Sequence, residues 1–163
     1  MTTVRITKLV DFSKLDPISS DGGHISKDQA RHVEKYCRKI LKKLQIPMWK
    51  VWVAKDISPE NTQAMISPTD GRRIAMLYLS ENWWSETDAE DKRTCLTHEM
   101  LHLIHHDQEE VIRRFKNTTG DISTYAMSLV WEQFLVETER MVDQLSYVIA
   151  PDMPEWKSTD ASE

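Results

Sequence analysis

Apolar residues recur along this chain at intervals of three and four, the spacing that is typical of amphipathic helices. The first helix should begin at Ser26, because Ser26 and Gln29 have the spacing of a capping box. It should end at Ile46-Pro47, where the proline disfavours helical backbone in the preceding residue. Its apolar stripe should comprise Ala30, Val33, Cys37, Ile40, Leu41 and Leu44.

Two further helices are predicted in the second half of the chain. One should start near Thr87, which forms a second capping box with Glu90, and should run to about residue 106. Residues 108–121 should then form a short segment followed by a loop. A last helix should cover about 123–149, where apolar residues again recur at helical spacing and a proline follows.

Short β-branched and aromatic segments between the first two helices predict strands. Residues 49–54 form one such segment. Residues 64–67 and 73–80 flank the sequence Pro-Thr-Asp-Gly at 68–71, a strong turn signal, so they should form a hairpin. The order helix, three strands and two helices predicts an α+β fold, in which a small sheet packs against the helices.

The length of 163 residues favours one domain, since a chain of this size buries enough surface to form a core without disulfide cross-links. Residues 1–25 form an N-terminal extension that includes VRITKLV, a stretch compatible with a short strand. Residues 26–150 form the domain, and the polar residues 151–163 are predicted to be a disordered tail.

Charge, hydropathy and cysteine content indicate the kind of partner, the location and the state of the thiols. The net charge of -5 argues against a protein that coats nucleic acid, so nucleic acid is an unlikely partner. No apolar run approaches the ~18 residues of a membrane span, and no signal peptide is recognisable, so a cytoplasmic protein is expected. Cys37 and Cys95 are expected to be free thiols in apolar surroundings.

The chemistry of the chain is concentrated in the sequence His98-Glu99-Met100-Leu101-His102. Residues four apart on a helix lie on the same face, so the two imidazoles can bind one zinc ion at about 2.0–2.1 Å. Glu99, beside the first histidine, can reach a water molecule that the metal activates and act as its general base. Burying two imidazoles and a carboxylate even partly costs free energy unless they have polar partners, and a bound metal ion would be such a partner.

A catalytic zinc ion usually takes three protein ligands, and several residues compete for the third position. His105 and His106 follow on the same helix, but His98 and His105 are about 10.5 Å apart along an unbroken helix axis. Both are therefore expected to be residues of the helix C-terminus, where an imidazolium suits the helix dipole.

Glu139 on the last helix is the preferred third ligand. Asp143 lies one turn beyond it on the same face and can accept the second N–H of His98, as carboxylates commonly do for metal-bound histidines. Glu132 and Glu137 remain alternatives, although neither has an acidic residue four positions later.

The motif His98-Glu99-x-x-His102 with a helix-borne Glu139-x-x-x-Asp143 resembles the gluzincin branch of the zinc metallopeptidases. Trp49-Lys-Val-Trp-Val, the hairpin, the segment 96–103 and the late Glu-bearing helix resemble small zincin-like proteins encoded by bacteriophages and prophages. Part of the last helix, from Glu139 to Ser146, is also similar to the repressor-cleaving peptidases of mobile elements. The resemblance covers roughly residues 27–150 and implies a minimal zincin-like fold.

Two related families fit less well. Metzincins have glycine and histidine where this chain has His105 and Gln108. The zinc-dependent bacterial endoribonucleases that mature ribosomal RNA share Leu101-His102-Leu103 and Asp107. They carry glycine at the position of Glu99, and their third histidine ligand falls at Gln108.

These observations predict a zinc-dependent hydrolase that cleaves a peptide bond in a polypeptide substrate, with His98, His102 and Glu139 as metal ligands. Tyr147 and His106 are candidate donors to the oxyanion. One strand of the hairpin, with 73–80 as the candidate, is expected to offer an edge that pairs with an extended substrate. Trp83 and Trp84 should pack in the core or line the cleft. The alternatives are an RNA endonuclease and a zinc-binding protein without activity.

Overall fold

The computed structural model describes residues 25–69, 71–118 and 121–157. The predicted strand VRITKLV and residues 158–163 lie outside this part of the chain. The order of elements confirms the predicted α+β class. They are helix α1 (Lys27–Lys43), strands β1 (Lys50–Ile57), β2 (Ala64–Pro68) and β3 (Ile74–Leu79), helices α2 (Trp83–Glu86), α3 (Ala89–Thr118) and α4 (Asp121–Ile149), and a 3-10 turn (Ala150–Asp152).

Helix α1 begins as the sequence predicts. The backbone N–H of Ser26 donates to the Gln29 side chain at 2.8 Å, and the Gln29 N–H donates to the Ser26 hydroxyl at 3.2 Å. This reciprocal pair is the capping box, and it satisfies two donors that the first turn of a helix leaves free. The apolar stripe of α1 is buried against the sheet and against α3.

The three strands form one sheet in the order β1-β3-β2. β2 and β3 are antiparallel and confirm the predicted hairpin, whereas β1 runs parallel to β3. The prediction that residues 73–80 offer a free edge is therefore wrong, because β3 lies between two strands and both rows of its backbone groups are paired. β2 and β1 are the edges of the sheet that the structure describes.

Helix α3 corrects the predicted boundaries. It begins after Asp88, whose carboxylate accepts the N–H groups of Glu90 and Asp91 at 2.9 and 2.8 Å, so Thr87 is not the cap. It continues to Thr118 without the predicted break near residue 106. No glycine or proline interrupts residues 87–118, so nothing in the sequence forces an end there.

The predicted disorder of residues 151–163 is wrong for the part that the structure describes. Trp156 is only 7 % exposed and packs edge-on against the rings of His32, Tyr36 and Trp83. The Tyr36 hydroxyl also donates a hydrogen bond to the carbonyl of Pro154. The polar composition of the segment hid this packing, because only two of its side chains, Met153 and Trp156, are buried.

The core lies between α1, the sheet and the first half of α3. It includes Val33 and Ile40 of α1, Leu77 of β3 and Leu96 and Met100 of α3, each fully buried. Cys37 and Cys95 are free, as predicted, and burial raises the pKa of the Cys95 thiol to about 12. Among the described helices, none is long and apolar enough to cross a membrane.

Candidate metal centre

His98 and His102 lie one turn apart on α3, and the core fixes the orientation of that helix. Leu96, Met100 and Leu103 are buried on its core side, which leaves both histidines half-buried on another face, beside α4. The two Nε2 atoms are 3.1 Å apart, and the rings meet at an angle of 69°. The spacing in the sequence is thus realised as two nitrogen atoms that converge on one point.

Helix α4 brings a carboxylate to the same point. Glu139 Oε2 lies 3.7 Å from Nε2 of His98, and Oε1 lies 3.5 Å from Nε2 of His102. Among the described residues, these three form the group whose ligand atoms all lie within 4.8 Å of one another. The preferred third ligand of the sequence analysis is therefore brought to both histidines, although its role as a ligand stays a prediction.

The spacing of the three side chains fits a small divalent ion. Four ligands at about 2.0–2.1 Å in a tetrahedron are separated from one another by about 3.3–3.4 Å. The two histidine nitrogens are 3.1 Å apart, and a different oxygen of Glu139 approaches each of them, at 3.7 Å from His98 and 3.5 Å from His102. With one ligand atom taken from each residue, the three atoms lie within 4.8 Å of one another. Two neutral imidazoles and one carboxylate are also a donor set that zinc accepts, with a fourth position left for a small molecule.

Asp143 lies behind the first histidine. Its Oδ1 is 3.1 Å from Nδ1 of His98, on the side of the ring that faces away from His102. A carboxylate there accepts the Nδ1 proton and leaves the lone pair of Nε2 for a metal. The predicted supporting residue is therefore at the predicted place, one turn of α4 beyond Glu139.

Glu99 occupies a buried position between α3 and the sheet. It is 6 % exposed, and its Oε2 accepts the backbone N–H of Ile66 at 2.7 Å. Its Oε1 lies 4.0 Å from Nε2 of His98, so one carboxylate oxygen faces the three-residue group. Burial raises the pKa of Glu99 to about 7, against the opposing effects of His98 and of the hydrogen bond from Ile66. A carboxyl group with a pKa near neutrality is suited to exchange protons.

The two histidines differ in their electrostatic surroundings. Burial disfavours the charged form of both rings. In His98 the hydrogen bond that the ring donates to Glu139 and the charges of Glu99 and Asp143 outweigh burial, so its pKa is raised. In His102 burial prevails and the pKa is lowered. His98 in turn lowers the pKa of Glu139, which favours the ionised carboxylate that a metal requires.

The rejected ligands lie elsewhere. His105 Nδ1 is 3.4 Å from the side-chain oxygen of Gln108, and His106 is buried edge-on against Trp49. Both are inside α3 rather than at its C-terminus, since the helix continues for three more turns. Glu137 accepts hydrogen bonds from Arg140 and Gln133. Neither Glu137 nor Glu132 belongs to the metal-competent group, which is formed by His98, His102 and Glu139.

An open cleft of about 280 Å³ is lined by His98 of the three-residue group and by Glu99, but not by His102 or Glu139. Tyr147, one of the two candidate oxyanion donors, lines it, whereas His106 lines a different depression beside Arg73. Trp83 is part of the core and is not among the lining residues. His98, Glu99 and Asp143 of this wall were predicted from the sequence, whereas the wall residues of β2 and of the first turns of α3 were not, because no motif links those segments. The lining comprises Gln63, Ala64, Asp91, Thr94, Cys95, His98, Glu99, Asp143, Ser146 and Tyr147.

Comparison of the chain with protein-family models, with curated proteins and with solved structures found no match.

Proposed function

We propose that this protein is a zinc-dependent hydrolase of the zincin type, and that it cleaves peptide bonds in polypeptides of the cytoplasm. The observation that carries the proposal is the placement of a buried carboxylate, Glu99, next to three side chains whose ligand atoms lie within 4.8 Å of one another and could hold a metal ion. A purely structural zinc site is usually closed by a fourth side chain and has no use for such a group. In the part of the chain described, the group has three members.

The division of labour follows from the positions of the side chains. His98, His102 and Glu139 hold the ion, and Asp143 keeps the His98 ring in the tautomer that leaves Nε2 free. Zinc, when bound, polarises a substrate carbonyl and makes a water molecule more acidic. Glu99 accepts a proton from the attacking water and passes it to the leaving amine. Tyr147, at the wall of the cleft, donates a hydrogen bond to the carbonyl oxygen.

The edge strand β2 provides a docking place for an extended peptide. The N–H of Ser80 donates to the carbonyl of Gln63, and that of Thr69 donates to Ile74, so odd-numbered residues of this segment pair with β3. Residues 64 and 66 therefore direct their backbone groups away from the sheet. Ala64 lines the cleft, so its N–H and carbonyl are the groups that pair with the substrate backbone.

The charge of the cleft favours a polypeptide over a nucleic acid. Asp91, Glu99 and Asp143 line it, and no lysine or arginine is among its described lining residues. A phosphate backbone would meet three acidic side chains there, whereas nucleic-acid sites are characteristically basic. The same acidic wall suits a peptide bond whose neighbouring side chains are neutral or basic.

The direct test compares the wild type with Glu99→Gln, which keeps size and polarity but cannot take up the proton. Both zinc-loaded proteins are offered a mixed peptide library and, separately, a structured RNA, with product formation measured by mass spectrometry. We expect peptide cleavage by the wild type and a loss of about 10²–10⁴-fold in the variant. Glu137→Gln is the matched control, because it removes a carboxylate of α4 that is tied to Arg140 outside the metal-competent group.

Each other outcome contradicts the proposal in a different way. RNA cleavage that disappears in Glu99→Gln identifies an endonuclease instead. Cleavage of neither substrate by a zinc-loaded wild type indicates a binding protein. Full activity in Glu99→Gln shows that the base is another residue.

A further inference from the structure

The backbone N–H of Ile66, in edge strand β2, takes no part in the hydrogen bonds of the sheet. The N–H of Ile66 points away from β3, in phase with Ala64 and Pro68, and it donates to Oε2 of Glu99 at 2.7 Å. This contact links a strand and a helix that are 33 residues apart in the sequence. It also covers a polar edge group that would otherwise be buried without a partner.

The bond fixes one oxygen of the carboxylate and leaves the other free. Oε2 is bound to Ile66, while Oε1 lies 4.0 Å from Nε2 of His98. A carboxylate with one anchored oxygen can rotate little about its terminal torsion, so Oε1 stays directed at the metal-competent group. The donor itself is rigid, because its strand is paired with β3 along its whole length.

We propose that the backbone N–H of Ile66 is a positioning group, which aims the free oxygen of Glu99 at the reacting water. This inference rests on the proposed hydrolase function. It adds a second role for β2, whose Ala64 pairs with the substrate while Ile66, two residues along, holds the base. The same rigid strand thereby holds both the substrate and the general base in position.

A backbone N–H is well suited to holding the Glu99 carboxylate in place. A side-chain donor would need its own support, whereas a main-chain N–H in a paired strand is already fixed. Any substitution except proline keeps the donor. Pro68 shows that the outward phase of this strand tolerates proline, since an outward N–H takes no part in the ladder with β3.

Ile66→Pro is therefore a selective test, because it removes the donor without removing a bond of the sheet. The reference is Ile66→Ala, which deletes more of the side chain but keeps the N–H. We expect kcat of Ile66→Pro to lie about 10²-fold below that of Ile66→Ala, as for a misplaced catalytic group. KM should agree within about threefold, and the zinc content of both variants should be one per chain, because the ligands are untouched.

A second measurement does not depend on activity. Hydrogen exchange of the Ile66 amide, followed by nuclear magnetic resonance in the wild type, should be slow. In Glu99→Ala it should be at least tenfold faster, because the acceptor is gone. The amide of Ser67, which pairs with β3, is the internal control and should keep its protection. This measurement also decides the matter if Ile66→Pro does not fold.

The outcomes separate the two proposals. Equal kcat in the folded proline and alanine variants overturns the positioning role while the hydrolase stands. An unprotected Ile66 amide in the wild type overturns it as well. A wild type that cleaves nothing overturns the hydrolase, and with it the role of Ile66 in catalysis, even if the amide is protected by Glu99.

Discussion

The Nδ1 atom of His98 lies 3.1 Å from Oδ1 of Asp143, across the contact between α3 and α4. The opposite nitrogen of the same ring faces Nε2 of His102 and the carboxylate of Glu139. One helix therefore supplies two candidate ligands, and the other supplies the third ligand together with the acid that orients the first. The arrangement ties metal binding to the packing of these two helices.

We predict that Asp143→Ala weakens zinc binding by about 10–100-fold without abolishing it, because the His98 ring loses its orienting acceptor but not its Nε2. Competition with a zinc chelator of known affinity measures the change. Gln144→Ala, at the exposed neighbouring position, is the control. An effect as large as that of removing a histidine would mean that Asp143 binds the metal directly.

Glu139→Ala should weaken zinc binding by more than the 10–100-fold that is typical of a supporting residue. Its carboxylate is the one acidic side chain in the group of described residues that could hold a metal ion. Glu132→Ala and Glu137→Ala, changed on the same helix and measured by the same competition, should bind zinc as the wild type does. Similar losses in all three variants would refute the choice of Glu139.

The stability of the protein should depend on the ionisation of Glu34, a half-buried residue of α1 that accepts the N–H of Val53 at 3.1 Å. Burial raises the pKa of Glu34 above its ordinary value of 4.5. Folding therefore favours the protonated form, and this contribution is complete below pH 4.5 and lost as the pH rises through the folded pKa.

Glu34→Gln, which keeps an acceptor for Val53 but has no charge, should thus have a higher free energy of unfolding than the wild type at pH 7.5. The difference should shrink at pH 3.5, where both side chains are neutral. Urea unfolding at the two pH values measures it. A variant that is less stable than the wild type at pH 7.5 would show that the charged form is the favoured one.

Trp156→Ala should lower the free energy of unfolding by about 3–5 kcal/mol, the usual cost of removing a buried aromatic side chain. The ring contacts His32, Tyr36 and Trp83, and Lys92 approaches it to 5.9 Å. Glu155→Ala, next to it and exposed, should change stability by less than about 0.5 kcal/mol. If the two variants changed the free energy of unfolding by similar amounts, this segment would be part of a disordered tail, as its composition suggests.

Local spacing made part of the structure predictable. The capping box of Ser26 and Gln29 depends on residues three apart, and the convergence of His98 and His102 depends on residues four apart. The Glu139–Asp143 pair was found for the same reason, since one turn of helix sets which side chains share a face. In each case the relevant partners are close in the sequence or repeat the same period.

The features that sequence reasoning missed depend on distant contacts or on competition between neighbours. Asp88 and Thr87 are both good caps, and only the structure shows which one accepts the free N–H groups. The central position of β3 depends on its parallel pairing with β1, and no local sequence pattern predicts which strand β1 pairs with. The bond from Ile66 to Glu99 uses a backbone group, so no residue type could have signalled it.

The zinc content of the protein tests the central claim most directly. Protein purified without added metal is analysed by elemental analysis, beside a double variant, His98→Ala with His102→Ala, prepared in the same way. We predict about one equivalent of zinc per chain in the wild type and less than about a tenth of that in the variant. A wild type that contains no metal, takes up none when zinc is offered, and folds unchanged in strong chelator would contradict it.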